Sequence, residues 1–391
     1  IDLDGFKAIN DNAGHERGDI ELQRVGALLT AIFGPIGEVG RWGGDEFIAV
    51  LPNQNVEEIA ERSERLISQI EEDAITVKTS ELRLSASIGI AEFPEHSDNL
   101  ESLVQCADAA MYRAKELGKG QAFIYESGLY ESMTQQVSMV NDLRRTVENH
   151  LLDFYIQGKY DLNGELKGGE VLCRWISGLH GVVSPAVFIP IAEEHKLDSA
   201  IGLQALEAAC DYISIMESQQ GDAIPLSVNI SANQMLDPEF PNQAMSICMD
   251  NDVSPEFIEL ELTESVFIRD EKSALRALNT LREHGFRLSL DDFGSGFSSL
   301  SYLRSFQFEV VKVDKSLIQG IHQDSKANAL FNGLIAMLKS LQIDVVAEGV
   351  ELESYLPFME QADIQLMQGF YFDKPMPYDQ FLARHTTEPN R

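Results

Sequence analysis

The sequence has few cysteines and no long apolar run. It contains only four cysteines in 391 residues, and no two of them form a Cys-x-x-Cys pair. This spacing argues against a disulfide scaffold and favours a reducing compartment, so we expect a cytoplasmic protein. No stretch reaches the roughly 18 apolar residues that a membrane span requires, and the first residues do not resemble a signal peptide.

Positive charge is also scarce. The chain has 30 Lys and Arg against 63 Asp and Glu, which gives a formal net charge of −33. A strongly negative field repels polyanions, which argues against a nonspecific nucleic-acid binder and against a protein held on anionic lipid. We therefore expect no nucleic-acid partner. A small phosphate ligand can still bind where metal ions or a few local cations reverse the field.

The chain starts with Ile1 and Asp2, without an initiator Met, in a pattern typical of the end of a strand. Because strands usually have about five or six residues, most of this one is expected to lie upstream. We therefore predict a fragment of a longer protein whose upstream sensory domain is missing from this chain. A membrane anchor in the parent protein is compatible with this prediction.

The length predicts two domains. We predict a first, mixed α/β domain at 1–125, a helical linker at 126–149 and a second domain at 150–391. Amphipathic helices are predicted in the first domain at about 17–33, 55–73 and 99–118. The strand-like runs EVGRW and FIAVLP flank a Gly-Gly pair, which predicts a tight hairpin.

In the second half, five short β-branched or Leu-rich runs each end in a polar or charged residue. These residues are Asn229, Glu261, Asp291, Lys312 and Glu348. Helix-like stretches fill the gaps, as in a parallel sheet with crossover helices, and an earlier run adds Glu170 and Arg174. A closed (β/α) barrel gathers the carboxyl ends of its strands on one face, so these residues would line one pocket. The pattern predicts an enzyme.

The chemistry of these residues narrows the prediction. The oxygen donors of Glu170, Asn229, Glu261 and Asp291 suit Mg²⁺ or Mn²⁺ rather than zinc, and Asp292 and Glu348 allow a second ion. Paired metals support in-line phosphoryl displacement. Lys312 can orient a water or neutralise developing charge, and Arg174 offers a planar fork to phosphate. These are the parts of a phosphodiesterase.

Each of these residues also has a purely structural explanation. A carboxylate at a strand end is often a helix N-cap, an Asn can close a turn, and Lys312 with Asp314 can form a surface ion pair. For six such ends in register, independent coincidence is the weaker explanation. Barrels of this kind host many reactions, so the architecture alone does not name one.

Seven motifs in the second half resemble, in order, those of the EAL family of cyclic di-GMP phosphodiesterases. They are EVLCRW, LSVNIS, ELTES, DDFGSGFSSL, VKVD, AEGVE and MQGF, and they cover roughly residues 145 to 385. The resemblance implies a modified TIM (β/α)8 barrel that hydrolyses cyclic di-GMP to linear pGpG with two Mg²⁺ or Mn²⁺ ions.

The resemblance also implies roles for individual residues. The metal ligands would be Glu170, Asn229, Glu261, Asp291, Asp292 and Glu348. Lys312 would position the attacking water, and the substrate contacts would be Arg174, Gln157 and Gln368. Glu264 would steady the loop 291–300, which in the family couples dimer contacts to metal binding.

Two positions depart from the family pattern. The first motif is Glu-Val-Leu, and we expect Val171 to point away from the metals if Glu170 points toward them. The usual Tyr-Gln-Pro is replaced by Ile156-Gln157-Gly158, and we expect the loss of the rigid proline to loosen this substrate-side segment.

In the first domain, Asp2 stands at a strand end and Asp45 lies in the Gly-Gly hairpin. Two converging carboxylates, with glycines that let phosphates approach the backbone, suit Mg²⁺-nucleotide chemistry, although a Gly-Gly-Asp turn is common and, taken alone, favours a plain hairpin. Four motifs, DLDGFKAIND, GHERGD, RWGGDEF and ADAAMYRAKELGKG, together resemble the GGDEF family of diguanylate cyclases. The resemblance implies a palm-like α/β domain that joins two Mg²⁺-GTP molecules across a homodimer.

By matching position, Asp2 and Asp45 would hold metals, and Asn10 and Asp19 would contact guanine. Lys115 and Lys119 would contact phosphates, and Glu46 completes the motif.

This domain departs from the family pattern in three ways. The family's opening helix and most of the first strand are missing, Lys119 and Gly120 replace the usual Arg and Asn, and the Arg-x-x-Asp product site is absent. We therefore predict an N-terminally truncated domain that regulates the barrel and has little cyclase activity.

Two other functions remain as alternatives. One is a receptor or interaction module that binds cyclic di-GMP without cutting it. Such a receptor would tolerate loss of Glu170, Asp291, Lys312 or Glu348, yet all four are present. The other is a bifunctional parent protein whose net output is synthesis by the GGDEF domain.

Overall fold

The chain forms two compact units, Ile1–Ser138 and Met139–Arg391, in a computed structural model. The structure describes residues 1–72, 75–77, 80–294, 306, 308–322 and 324–386. The division falls inside the long helix Leu129–Glu148 rather than at either of its ends. Among the helices described, none is both long enough and apolar enough to cross a bilayer.

The first unit is a mixed α/β domain, as predicted. Its elements are β1 (Asp2–Asp4), α1 (Phe6–Ala13), α2 (His15–Phe33), β2 (Glu38–Gly43), β3 (Glu46–Val50), α3 (Val56–Glu71), β4 (Ile75–Val77), β5 (Ser80–Leu82), β6 (Ser85–Ile90), α4 (Leu100–Glu116), β7 (Ala122–Ile124) and the start of α5 (Leu129–Glu148). One sheet has the strand order β2-β3-β1-β6-β7. The three predicted amphipathic helices correspond to α2, α3 and α4.

The predicted hairpin is formed by β2 and β3. These strands pair antiparallel with Arg41 opposite Phe47, and Gly44 in the turn has a φ of 52°. Because glycine has no Cβ, it adopts this left-handed conformation without strain. The short strand β1 lies between β3 and β6, where Asp2 is opposite both Glu46 and Ser87. The hairpin and the first strand therefore bring Asp2 and Asp45 to the same region of the unit.

The second unit contains the remaining elements. They are β8 (Asp153–Tyr160), β9 (Leu166–Ser177), β10 (Gly181–Val183), α6 (Pro185–Glu194), α7 (Asp198–Gln220), β11 (Leu226–Asn229), α8 (Ala232–Met235), α9 (Phe240–Asp250), β12 (Ile258–Thr263), α10 (Ser265–Glu283), β13 (Arg287–Phe293), β14 (Val310–Val313), α11 (Lys315–Ile318), α12 (Ser325–Ser340), β15 (Asp344–Ala347), α13 (Leu356–Gln361), β16 (Leu366–Met367), β17 (Met376–Pro377) and α14 (Tyr378–Thr386). Two short 3-10 turns occupy Pro255–Phe257 and Glu353–Tyr355.

Eight strands close into a barrel in the order β8, β9, β11, β12, β13, β14, β15, β16, and β16 returns to β8. Neighbouring strands from β9 to β16 are parallel, whereas β8 is antiparallel to both of its neighbours. The predicted modified TIM barrel is confirmed. Side chains alternate along β12, where Leu260 and Leu262 join the apolar core while Glu259 and Glu261 project to the opposite side.

The end of α5 packs against the barrel. Leu143 and Val147 are buried in one cluster with Trp175 of β9. The indole Nε1 of Trp175 donates a hydrogen bond to Thr146 Oγ1 at 3.2 Å, and Ser177 Oγ donates to Asp142 at 2.6 Å. The last turns of this helix are therefore fixed to the strand that carries Glu170 and Arg174.

Candidate active site

Lys312 lies at the centre of the carboxyl-end face of the barrel. Its side chain on β14 is only 1% exposed. Its Nζ contacts carboxylate oxygens from four different parts of the chain: Glu170 at 3.2 Å, Glu261 at 2.6 Å, Asp291 at 3.2 Å and Glu348 at 2.7 Å. Four of the predicted ligands therefore converge on one ammonium group. The alternative of a surface ion pair between Lys312 and Asp314 is wrong, because Asp314 instead caps α11 by accepting from Ser316 N.

Glu170 is held by two side-chain amides. Asn229 Nδ2 donates to Glu170 Oε1 at 2.7 Å, and Gln368 Nε2 donates to Glu170 Oε2 at the same distance. Gln368 Nε2 also lies 3.2 Å from Gln157 Oε1. Since the amide nitrogen of Asn229 is turned to Glu170, its amide oxygen is the atom that would bind a cation. Val171 joins the apolar core, as expected for the residue that follows Glu170 on a strand.

Asp291 and Asp292 are consecutive, yet both carboxylates lie beside Glu348. Successive residues on a regular strand point to opposite faces. Here Asp292 has a φ of 55°, and the pairing of β13 with β14 shifts register between Leu290 and Phe293. One oxygen from each of Asp291, Asp292 and Glu348 then lies within 4.8 Å of the others. Positive φ is uncommon outside glycine, and such conformations concentrate at functional sites.

Burial, and the repulsion between neighbouring carboxylates, raise the pKa of several carboxyl groups in the cluster. Burial raises the pKa of Glu348 to about 8, with Asp291 and Glu170 adding to the rise against Lys312. Burial and the charge of Glu261 likewise raise the pKa of Glu170. Glu261 is the exception: burial opposes its ionisation, but Lys159 and Lys312 outweigh burial and lower its pKa to about 2. The acidic groups thus outnumber the cations available to balance them.

This excess of negative charge fits a divalent cation. In the part of the chain that the structure describes, the groups in contact with Lys312 Nζ are carboxylates, and oxygen is the ligand atom that Mg²⁺ and Mn²⁺ prefer. Burial first, and then repulsion between neighbouring carboxylates, raises the pKa values of Glu170, Asp291 and Asp292, and bound cations would offset that repulsion. The structure therefore contains an acidic cluster suited to the metal dependence of EAL-type phosphodiesterases.

Lys159 is a member of the site that the sequence reasoning missed. Its buried Nζ on β8 contacts Glu259 Oε1 at 2.7 Å and Glu261 Oε1 at 2.8 Å. Because Lys312 binds the other oxygen of Glu261, the two lysines hold this carboxylate from both sides. The strand IELELT carried a signal for this arrangement, since two glutamates at period two lie on the same face.

Two further predicted residues, Arg174 and Glu264, occupy other positions in the second unit. Arg174 lies on β9, where its guanidinium donates to Cys173 O at 2.9 Å and lies over the Tyr155 ring. Burial lowers the pKa of this guanidinium. Glu264 directly precedes α10. Residues 295–300 of the predicted coupling loop lie outside the described residues, so the proposed coupling to Glu264 stays a prediction.

In the first unit, three predicted residues line one cavity. Asn10, Asp19 and Asp45 surround a volume of about 510 Å³ between α1, α2 and the β2–β3 hairpin. The cavity is also lined by Lys7 and Arg41, two cations that were not singled out from the sequence. This combination of amide, carboxylate and basic groups suits a nucleotide.

Asp2 lies on the neighbouring strand and does not line this cavity. It instead forms an ion pair with Lys115, Nζ to Oδ1, at 2.7 Å. Lys119 has a φ of 65°, and the following Gly120 N donates to Asp4 Oδ2 at 3.2 Å. Glu46 pairs with Asp2 across β1 and β3. The predicted phosphate-binding lysines thus come from the end of α4 and the loop that follows it.

Comparisons with known proteins agree with this organisation. The family model described as EAL domain matches residues 140–375, and that of the diguanylate cyclase, GGDEF domain, matches residues 1–121. A bifunctional diguanylate cyclase/cyclic di-GMP phosphodiesterase, MucR of Pseudomonas aeruginosa, is 34% identical over 98% of this chain and 56% of its own length.

A second relative, the cyclic di-GMP phosphodiesterase PdeR of Escherichia coli, is 31% identical over 96% of this chain and 57% of its own length. The solved structure of the PaMucR phosphodiesterase in a c-di-GMP complex has a TM-score of 0.59 and 32% identity, covering 63% of this chain and 100% of that chain. The chain spans about half the length of the curated relatives it matches. The chain belongs to the EAL domain family and carries a GGDEF domain ahead of its EAL domain.

Proposed function

We propose that this chain hydrolyses cyclic di-GMP to linear pGpG at the carboxyl-end face of its barrel, with two Mg²⁺ or Mn²⁺ ions bound. The observation that carries the proposal is the position of Lys312 Nζ among four carboxylates, beside the group formed by Asp291, Asp292 and Glu348. The likeness to the PaMucR phosphodiesterase, whose structure holds c-di-GMP, supports the choice of substrate.

The residues that would hold the metals are those already assembled on this face. They are Glu170, Asn229, Glu261, Asp291, Asp292 and Glu348. When bound, the ions would lower the pKa of a water and stabilise negative charge on the scissile phosphate. The carboxylates come from separate strands and already lie close together, so little rearrangement would be needed when the substrate arrives.

Lys312 would orient the attacking water and offset charge that develops on the phosphate. Its ammonium group is held beside the acidic cluster by its carboxylate partners. Gln157 and Gln368 lie next to Glu170 and would contact the substrate beside the metals. Arg174 would offer its planar guanidinium to a phosphate oxygen.

We further propose that the first unit binds Mg²⁺-GTP and regulates the barrel. The cavity lined by Asn10, Asp19 and Asp45 supports the binding of a nucleotide base. The pairing of Lys115 with Asp2 supports a nearby anion site in which phosphate would compete for the lysine. The homodimer and the cytoplasmic location remain predictions from the sequence.

One assay tests the main proposal. The purified chain is incubated with cyclic di-GMP and Mg²⁺ or Mn²⁺, and separately with GTP, and the products are resolved by chromatography. We expect pGpG from the first mixture, none after Glu170→Ala, and normal yield from the matched control Glu165→Ala, whose carboxylate is exposed. Binding of cyclic di-GMP without any cleavage would support the receptor alternative, and cyclic di-GMP formed from GTP would show that the chain is also a cyclase.

A further inference from the structure

Gly158 occupies the position at which the family pattern has proline, and its backbone N–H is engaged. The amide donates to both carboxylate oxygens of Asp373, at 3.3 Å to Oδ1 and 3.2 Å to Oδ2. A proline has no N–H and could not form these bonds. The expectation of a loosened segment stays a prediction, but a buried carboxylate holds the backbone at the position where the family pattern has the proline ring.

Asp373 binds a second residue of the same strand. Tyr160 OH donates to Asp373 Oδ2 at 2.6 Å, and both side chains are buried. The Tyr160 ring covers Gly158, since a Cβ built there would come within 2.7 Å of ring atoms and of the hydroxyl oxygen. Tyr160 also stacks on Phe372, with centroids 4.9 Å apart. Glycine, tyrosine and aspartate thus form one mutually dependent contact, which we call the 158–160–373 clamp.

The clamp reaches the predicted substrate-binding residue Gln157. Gln157 Nε2 donates to the backbone carbonyl oxygen of Asp373 at 3.0 Å, while Gln157 Oε1 accepts from Gln368 Nε2 at 3.2 Å. Gln368 in turn donates to Glu170. Both ends of the Gln157 amide are therefore fixed, one by Asp373 and the other by a neighbour of the metal-binding cluster.

We propose that Asp373 is a positioning residue that sets the place of Gln157 through the 158–160–373 clamp and so determines affinity for the substrate. This inference rests on the proposed hydrolysis of cyclic di-GMP. Among the described residues, the hydrogen bonds of Asp373 go to Gln157, Gly158 and Tyr160 and not to the acidic cluster or Lys312. Its effect is therefore on binding more than on the chemical step. The carboxylate replaces the proline as the element that keeps the segment rigid.

The test separates KM from kcat. For Asp373→Ala at saturating Mn²⁺, we expect KM for cyclic di-GMP to rise about tenfold, because a charged hydrogen-bond acceptor of two donors is lost. The value of kcat should stay within about twofold. Asp373→Asn keeps one carbonyl acceptor, so its KM should lie between those of the unmodified chain and Asp373→Ala. Asp379→Ala, which changes an exposed carboxylate on α14, serves as the matched control.

A rescue experiment distinguishes positioning from general destabilisation. In the double variant Tyr160→Ala/Asp373→Ala, the ring no longer covers Gly158 and no acceptor remains for its N–H. Adding Gly158→Pro to this background should lower KM again by several-fold, since proline restores stiffness without needing a partner. A role in folding alone predicts no such recovery, so an unchanged KM in the triple variant would overturn the proposal.

The outcomes separate this inference from the proposed function. If the unmodified chain neither binds nor cleaves cyclic di-GMP, the proposed function fails and the inference fails with it. If the unmodified chain is active and Asp373→Ala leaves KM unchanged, only the role of Asp373 is refuted. A fall in kcat at constant KM would also refute it, since it would place Asp373 in the chemical step.

Discussion

The two units present their polar residues in opposite ways. On the barrel, Lys312 is 1% exposed and each of its carboxylate partners comes from a different strand or strand end. In the first unit, Asn10, Asp19 and Asp45 surround an open cavity of about 510 Å³. The barrel site is organised by ion pairs within the protein, whereas the polar groups of the first unit are arranged around an open cavity. Single substitutions should therefore have larger effects in the barrel.

The largest effect is expected for Lys312→Met. Turnover of cyclic di-GMP should fall by about a thousandfold, in the range for loss of a group that moves or orients a proton-bearing reactant. Affinity for Mn²⁺, measured by titration calorimetry, should be retained or increased, because the carboxylates lose their internal cation. Lys326→Met, at an exposed lysine of α12, is the control. Parallel loss of activity and of metal binding would contradict this role.

The next effect concerns stability. Lys159→Met removes the cation that Glu259 and Glu261 share in the barrel interior, so the second unit should lose about 3–5 kcal/mol of unfolding free energy. Denaturant unfolding measures the change. Lys167→Met breaks exposed pairs with Glu165 and Asp161 and should cost far less than Lys159→Met, because water screens charges at the surface. Equal costs for the two lysines would remove the distinction between buried and exposed ion pairs.

A pH dependence follows from Glu348. Its pKa is raised by burial to about 8 in the folded metal-free protein, from an ordinary value of 4.5, so the folded state binds this proton more tightly than the unfolded state. Stability should therefore decline as pH rises from about 5 to about 8. Saturating Mg²⁺ should flatten the decline. Thermal unfolding at several pH values checks it, and a rise in stability over this range without metal would contradict the expected sign.

The smallest effect is expected in the first unit. Asn10→Ala should weaken GTP binding by about tenfold through the loss of a hydrogen bond to the base. Hydrolysis of cyclic di-GMP without GTP should change by less than twofold. Asn12→Ala is the matched control, because the Asn12 side chain is exposed and bonds Ala8 O. A large change in basal hydrolysis would show that the cavity and the barrel are not separable.

The acidic face of the barrel could be predicted because it depends on strand order. Parallel strands bring their carboxyl ends together, so Asn229, Glu261 and Lys312 could be placed on one face without coordinates. The fold itself was predictable for the same reason. The reversed direction of β8 is consistent with the resemblance to a modified barrel, but no periodicity in the sequence specifies it.

The supporting contacts could not be predicted in the same way. Asp373 follows a known motif, but its bonds to Gly158 and Tyr160 join residues more than 200 positions apart. The left-handed backbone at Asp292, which turns a second carboxylate toward Glu348, depends on a register shift that no local pattern specifies. Lys159 was missed because an isolated lysine on a strand normally faces solvent.

The reversed direction of β8 has a consequence for communication along the chain. Asp153 at the start of β8 pairs with Arg174, and Gln157 pairs with Glu170, so the chain enters the barrel at its reactive rim. Gln157 follows Asp153 by only four positions, which is about 13 Å along the strand. A displacement at the end of α5 would therefore reach Gln157 through one short stretch of paired strand, without passing through the opposite end of the barrel.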